Sequence, residues 1–144
     1  LQVLLSSSIQ MAEEATASTS MASQHKTMKG ININCMGQNF CRLILDGEKT
    51  IETRNSRSLD PYIRQRVGLI QTGRGPARLV GFVTIGDPIQ YESEEEWDQD
   101  ISRHRVYGGE YGWRCGVKYG YPMINPRRIP PKLVTSLGIV AREI

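Results

Sequence analysis

A chain of 144 residues, 39% of them apolar, is long enough to bury one real core and short for two ordinary domains. Eighteen Lys and Arg against fifteen Asp and Glu leave a net charge of +3, which permits a nucleic-acid partner without demanding one, because the arrangement of charge counts for more than its sum. Cys35, Cys41 and Cys115 form no Cys-x-x-Cys pair and His25 lies far from His104, so neither a disulfide framework nor a metal centre is expected.

A reducing compartment, cytoplasmic or nuclear, fits the unpaired cysteines. No apolar run approaches the roughly 20 residues of a membrane span, and Leu1-Gln2-Val3-Leu4-Leu5 is too short for a signal-peptide core. No membrane partner is therefore expected. The chain opens on Leu, and Met11, Met21 and Met28 each offer a start.

Residues 1–29 are dominated by Ser, Thr, Ala, Gln and Met. They hold too little large apolar surface to offset their ordering entropy and are read as a disordered tail. The domain proper is expected over 30–144. Ile31 and Ile33 alternate with Asn32 and Asn34 as a first strand. Phe40, Leu43, Ile44 and Gly47 fall at helical spacing, predicting a short helix over 37–46 that Gly47 ends in a left-handed conformation. Ile51 and Thr53 alternate with Glu52 and Arg54, a strand over 49–54. A polar loop follows over 55–65, with Asp60-Pro61 as its turn signal. Strands are expected over 67–71 and 79–85, separated by Gly73-Arg74-Gly75-Pro76. A bend at Gly86-Asp87-Pro88 precedes a resumption at 89–91. Over 92–105, Trp97 and Ile101 at i, i+4 mark one amphipathic helix, with Ser93 and Glu96 as its capping box. The last strands are placed at 117–124 and 138–143. Short strands at regular spacing, with few helices, describe a mainly β, α+β fold closed as a small barrel.

The helix-to-strand corner carries the chemistry. Lys49, Glu52 and Arg54 lie within six positions of one another, and half-buried charges are expensive unless paired or used. A desolvated lysine is prepared for base or charge-stabilising work, and a neighbouring glutamate for general base work. The plain alternative is a surface ion pair of about 0–1 kcal/mol. On an ideal strand Lys49 points away from Glu52 and Arg54, so it joins them only if the turn after Gly47 redirects it.

Gly47-x-Lys49-x-x-Glu52-x-Arg54 after a short helix resembles the signature of the ASCH domain, a small β-barrel related to the PUA domain of RNA-modifying enzymes. A second block strengthens the resemblance: Tyr107-Gly108-Gly109 and Trp113, then Tyr121 through Asn125-Pro126-Arg127-Arg128 and Pro130-Pro131, closing on Leu137-Gly138-Ile139. It covers roughly residues 30–144. The resemblance implies an aromatic-rich strand, a turn at Asn125–Arg128 and a final strand opening on Gly138. In one ASCH subgroup, amidohydrolases of N4-acylated cytidine, it would assign catalysis to the motif lysine, a threonine three residues later and a downstream glutamate. Lys49 matches, but Glu52 fills the threonine slot, and a carboxylate is not that kind of nucleophile. Glu52 matches the commoner ASCH pattern instead, within which metal-dependent RNA cleavage is known.

Arg57, Arg64, Arg66, Arg74 and Arg78 supply all the positive charge between these strands. Guanidinium groups match phosphate bidentately, so the set suits an RNA backbone or an ordinary solvated surface. Of the aromatics among the glycines at 107–121, Tyr111 and Trp113 are read as exposed and able to stack bases. Arg127 and Arg128 are placed to reach a phosphate or to pin their turn. The reading is thus a PUA-like ASCH barrel that binds single-stranded RNA or a nucleotide-like ligand in a cleft beside the motif helix. Its alternatives are a hydrolase of RNA or a modified nucleoside, with Lys49, Glu52 and Arg54 catalytic, and a protein-interaction domain in transcriptional control. No resident cofactor is expected, and Mg²⁺ or another divalent cation only for a nuclease.

Overall fold

A computed structural model describes residues 28–114 and 116–144. The expected tail, apart from Met28 and Lys29, lies outside the described residues, as do His25 and Cys115. The strands are β1 (Lys29–Asn34), β2 (Ile51–Arg54), β3 (Arg66–Thr72), β4 (Arg78–Ile85), β5 (Ile89–Tyr91), β6 (Lys118–Leu133) and β7 (Ala141–Glu143). Three short α-helices accompany them among the described residues, α1 (Phe40–Leu45), α2 (Glu94–Gln99) and α3 (Ile101–His104), with 3-10 turns at Asp60–Tyr62 and Gly109–Tyr111. The seven strands form one sheet in the order β2-β6-β4-β3-β1-β7, with β5 on the side of β6. It is mainly β and curls into a half-barrel.

β1 and β3 run parallel, from Gly30 opposite Gly68 to Asn34 opposite Thr72, and every other pairing is antiparallel. β3 lies between two neighbours under both faces of cover, which is why Val67, Gly68, Leu69 and Ile70 are buried without alternation. β1 alternates instead: Ile31 and Ile33 enter the core while Asn32 is half-buried. The core gathers Ile31, Ile33, Leu69, Val83, Ile85 and Tyr121 from the sheet, and α1 lays Phe40 and Ile44 over it. Each such aliphatic side chain contributes about 1.5–3 kcal/mol.

Three expectations need correcting. The final strand opens at Ala141 and not at Gly138, which lies in the irregular segment before it. Asn125-Pro126-Arg127-Arg128 is not a turn, and β6 does not stop at 124. The strand runs on to Leu133 and meets β4 through two register shifts, one between Ile124 and Arg127 and one between Arg128 and Lys132. Prolines have no N–H for a ladder, and bulges accommodate them: Pro126 lies in the first irregularity, after a left-handed Asn125 (φ 51°), and Pro130 and Pro131 lie in the second. The helix expected over 92–105 is two helices. Ser93 Oγ accepts the Glu96 N–H and Glu96 Oε2 accepts the Glu92 N–H, so the capping signal holds. The break comes at Asp100, whose carboxylate accepts from the Tyr91 hydroxyl and from Arg103. Trp97 is therefore buried, Ile101 turns outward, and His104 fills the core position instead.

Candidate functional site

The glycine turn builds the site. After α1, Gly47 takes φ 77° and donates to Ile44 O at 3.1 Å. Glu48 N and Lys49 N then both donate to Leu43 O, at 2.9 and 3.0 Å. This tight turn throws Lys49 inward before β2 begins, which resolves the facing problem of an ideal strand. Its side chain is fully buried, 3.6 Å from Glu52 Oε1, with Nζ donating to the His104 carbonyl and lying 4.8 Å from the Phe40 ring. Glu52 Oε2 takes Arg54 Nη2 at 3.1 Å. Burial pushes the Lys49 ammonium below the usual lysine range, and the Glu52 charge opposes that shift.

Arg54 does a second thing. The same Nη2 donates to Asn32 O on β1 at 2.8 Å. β2 and β1 belong to the two flanks of the curled sheet and share no ladder. The side chain thus crosses the seam at which a barrel would close. A cleft of about 380 Å³ lies along that seam. Glu52, Thr53 and Arg54 line it from β2, Asn32 and Asn34 from β1, Arg142 from β7, and Phe40 and Tyr111 add aromatic walls. Asn32 Nδ2 donates to the Gly138 and Ile139 carbonyls, both at 2.9 Å, which fixes the amide's orientation and holds the segment before β7 in place.

Lys49 does not line the cleft; it lies behind Glu52. Beyond it is a second buried ammonium, Lys118, which donates to Tyr111 O at 2.9 Å and lies 4.8 Å from the Trp97 ring. Burial lowers its pKa too, with Glu52 opposing and Lys49 adding to the shift. His104 stacks on Trp97 at 3.7 Å, and its Nδ1 accepts the Val106 N–H. Its proton therefore sits on Nε2, facing Trp97 O at 2.7 Å. Among the described residues, no three His, Cys, Asp or Glu side chains group as metal ligands, and no helix is long and apolar enough to cross a membrane.

The other candidates from sequence are dispersed. Arg57 pairs with Asp60 at 2.6 Å, Arg64 with Asp87 at 3.1 Å, and Arg74 donates to Cys35 O at 2.7 Å. Arg66 pins the first β6 bulge through Asn125 O at 2.6 Å, and Arg78 is exposed at the start of β4. Arg128 pairs with Asp46 at 2.8 Å, and Arg127 is exposed on β6. None of these seven lines the cleft. Tyr111 does, and Trp113 lines a different pocket; both are half-buried against the core rather than exposed as expected, Tyr111 edge-on to Phe40. Sequence reasoning missed Asn32, Arg142 and Lys118. The polar Asn32 between two buried isoleucines was a usable signal, and nothing local marked the other two.

No family model matches the chain, and no curated protein does. Solved structures of an ASCH protein from Zymomonas mobilis are similar. A serine-to-alanine variant superposes at a TM-score of 0.62 with 16% identity, over 82% of this chain and 88% of that one. The protein without a stated substitution gives 0.56 with 19% identity, over 73% and 72%. A tyrosine-to-phenylalanine variant gives 0.55 with 19% identity, over 76% and 77%. The chain has an ASCH-like fold, as the two sequence blocks implied.

Proposed function

We propose that the seam cleft binds a phosphorylated nucleotide unit, as a free nucleotide or as one residue of single-stranded RNA. The observation that carries this reading is where hydrogen-bonding capacity is left unused. Among the described residues, the buried side-chain polar atoms without a partner are Asn32 Oδ1, Arg54 Nε and Arg142 Nε, and all three residues line this cleft. Unpaired buried polar groups are costly, and a ligand offering both donors and acceptors removes that cost. Charge points the same way. Lys49, Arg54, Lys118 and Arg142 surround or back the cleft, with Glu52 the acidic residue in its wall, so an anion is favoured. Tyr111 and Phe40 give a base an aromatic surface.

Hydrolysis with Glu52 as general base draws less support. Its oxygens already accept from Thr53 N at 3.3 Å and Arg54 at 3.1 Å, with Lys49 at 3.6 Å. A carboxylate has about four acceptor sites, and these contacts suit Glu52 to holding Arg54 in place. The test is a titration of fluorescein-labelled single-stranded RNA and of a labelled mononucleotide, in Mg²⁺ and at several salt concentrations, followed by sizing of the recovered strand. Salt-dependent binding of an intact strand, lost in Arg142→Gln, is the expected result. A shortened strand protected by Glu52→Gln would establish the hydrolase instead. Absence of binding to both probes would leave the protein-interaction reading.

A further inference from the structure

A second pocket, of about 390 Å³, lies on the other side of the loop that joins α3 to β6. Trp97, Tyr107 and Trp113 form its aromatic walls, Gly108, Gly109 and Gly112 leave it room, and Glu94 and Asp98 stand at its rim. Trp97 itself is buried, with His104 stacked on it at 3.7 Å and Lys118 Nζ 4.8 Å from its ring. The aromatic surface on offer is therefore that of Trp113, 6.5 Å from Trp97, and of Tyr107, which is 64% exposed.

The two charged side chains that line this pocket, Glu94 and Asp98, are opposite in sign to the arginines of the seam. The nearest cation on the pocket's aromatic wall is Arg105, 3.3 Å from the Tyr107 hydroxyl. Glu92, Glu94, Glu95, Glu96, Asp98 and Asp100 crowd one short segment of a chain whose net charge is +3. Asp100 is paired with Arg103. Glu94 and Asp98 are in no ion pair among the described residues, and they stand four apart on α2, where like charges repel. Asp98 also sits toward the negative end of the helix dipole, where a carboxylate is disfavoured. A cation between them relieves both penalties, and aromatic faces attract the same kind of group.

We propose that this pocket takes the ammonium side chain of a lysine from a basic protein segment, with the alkyl stem against Trp113 and Tyr107 and the charge between Glu94 and Asp98. An RNA strand is a poor occupant, because its phosphates would face these carboxylates. Val106 lines both this pocket and the seam cleft, so the two sites share a wall and do not overlap in charge.

The test titrates a fluorescein-labelled lysine-rich peptide into the full chain, followed by anisotropy and by tryptophan emission. Binding with a change in tryptophan emission is expected. Glu94→Gln with Asp98→Asn should weaken it about tenfold or more while leaving the thermal midpoint unchanged or raised. Trp113→Ala should weaken it as well, and Arg142→Gln, a seam change without a stability cost, should not. Equal binding of the same peptide with its lysines acetylated would overturn the proposal. So would unchanged binding in the double carboxamide variant, or no binding of the peptide at all. Loss of peptide binding in Arg142→Gln would overturn it by placing the peptide in the seam.

Discussion

Arg54 Nη2 donates to the Asn32 carbonyl at 2.8 Å and to Glu52 Oε2 at 3.1 Å, so one guanidinium joins strands that no ladder connects. The bond gives the motif arginine a structural task in addition to any contact with ligand. Arg54→Ala should cost about 1–3 kcal/mol, the penalty for unsatisfied buried partners, and should weaken nucleotide binding about tenfold. Arg142→Gln should weaken binding without that stability loss. Denaturant titration and anisotropy separate the two. Arg64→Gln and Arg74→Gln, which alter residues outside the cleft, should leave affinity within about twofold.

Lys49 and Glu52 should behave as a coupled pair. Glu52→Gln leaves a buried ammonium with its counter-charge gone, a change worth about 3–5 kcal/mol. Adding Lys49→Met removes that ammonium, so the double variant should be more stable than the sum of the single losses implies. Urea unfolding of the four proteins provides the cycle. Additive losses would mean that the two side chains do not interact.

His104 should give the domain a pH dependence near neutrality. Burial holds its pKa below the ordinary imidazole value of 6.5, so the folded ring stays neutral. The unfolded chain takes up a proton as pH falls below about 6.5, and the folded chain does so only lower down. The stability from His104 is therefore fully present above about pH 6.5 and lost as pH falls toward the folded value. The Arg128 hydrogen bond to Asp46 and the Tyr121 hydrogen bond to Asp60 hold those carboxylates below their usual range, so their contributions fade only at more acid pH. Unfolding free energies at about pH 7.5 and about pH 5.5 should differ more in the native protein than in His104→Asn.

Gly47→Ala isolates the turn. A β-carbon there meets nothing within 4 Å, but φ is 77°. The cost is backbone strain alone, about 1 kcal/mol, and Gly47→Asn should cost less. Thermal denaturation of both variants measures the difference.

The corner from Phe40 to Arg54 was legible because its signals are local: helical spacing, a glycine stop and a return to period two. The partners of that corner were not. Asn32 and Arg142 reach the seam through pairings of β1 with β3 and β7, and no window of sequence carries a register between distant strands. The arginines from Arg57 to Arg78 resembled one basic surface in sequence, whereas the fold sets Arg57, Arg64, Arg66 and Arg74 in separate ion pairs and backbone contacts and leaves Arg78 exposed. The prolines of β6 misled for a related reason. They break an isolated ladder, but a bulged strand with a long partner absorbs them.

The order of the strands also bears on how the molecule assembles. β1 finds its partners in β3 and in β7, and Lys29 ends up opposite Glu143, from the far end of the described chain. Contacts between segments so far apart close the largest loops, and their entropy is recovered only after the intervening strands have paired. The seam should therefore be among the last regions to form and the first to open. Exchange of the Asn32 amide, measured against those of β3 and β4, would report that opening directly. A nucleotide bound across β1, β2 and β7 would slow that exchange, making the ligand a clasp on the fold.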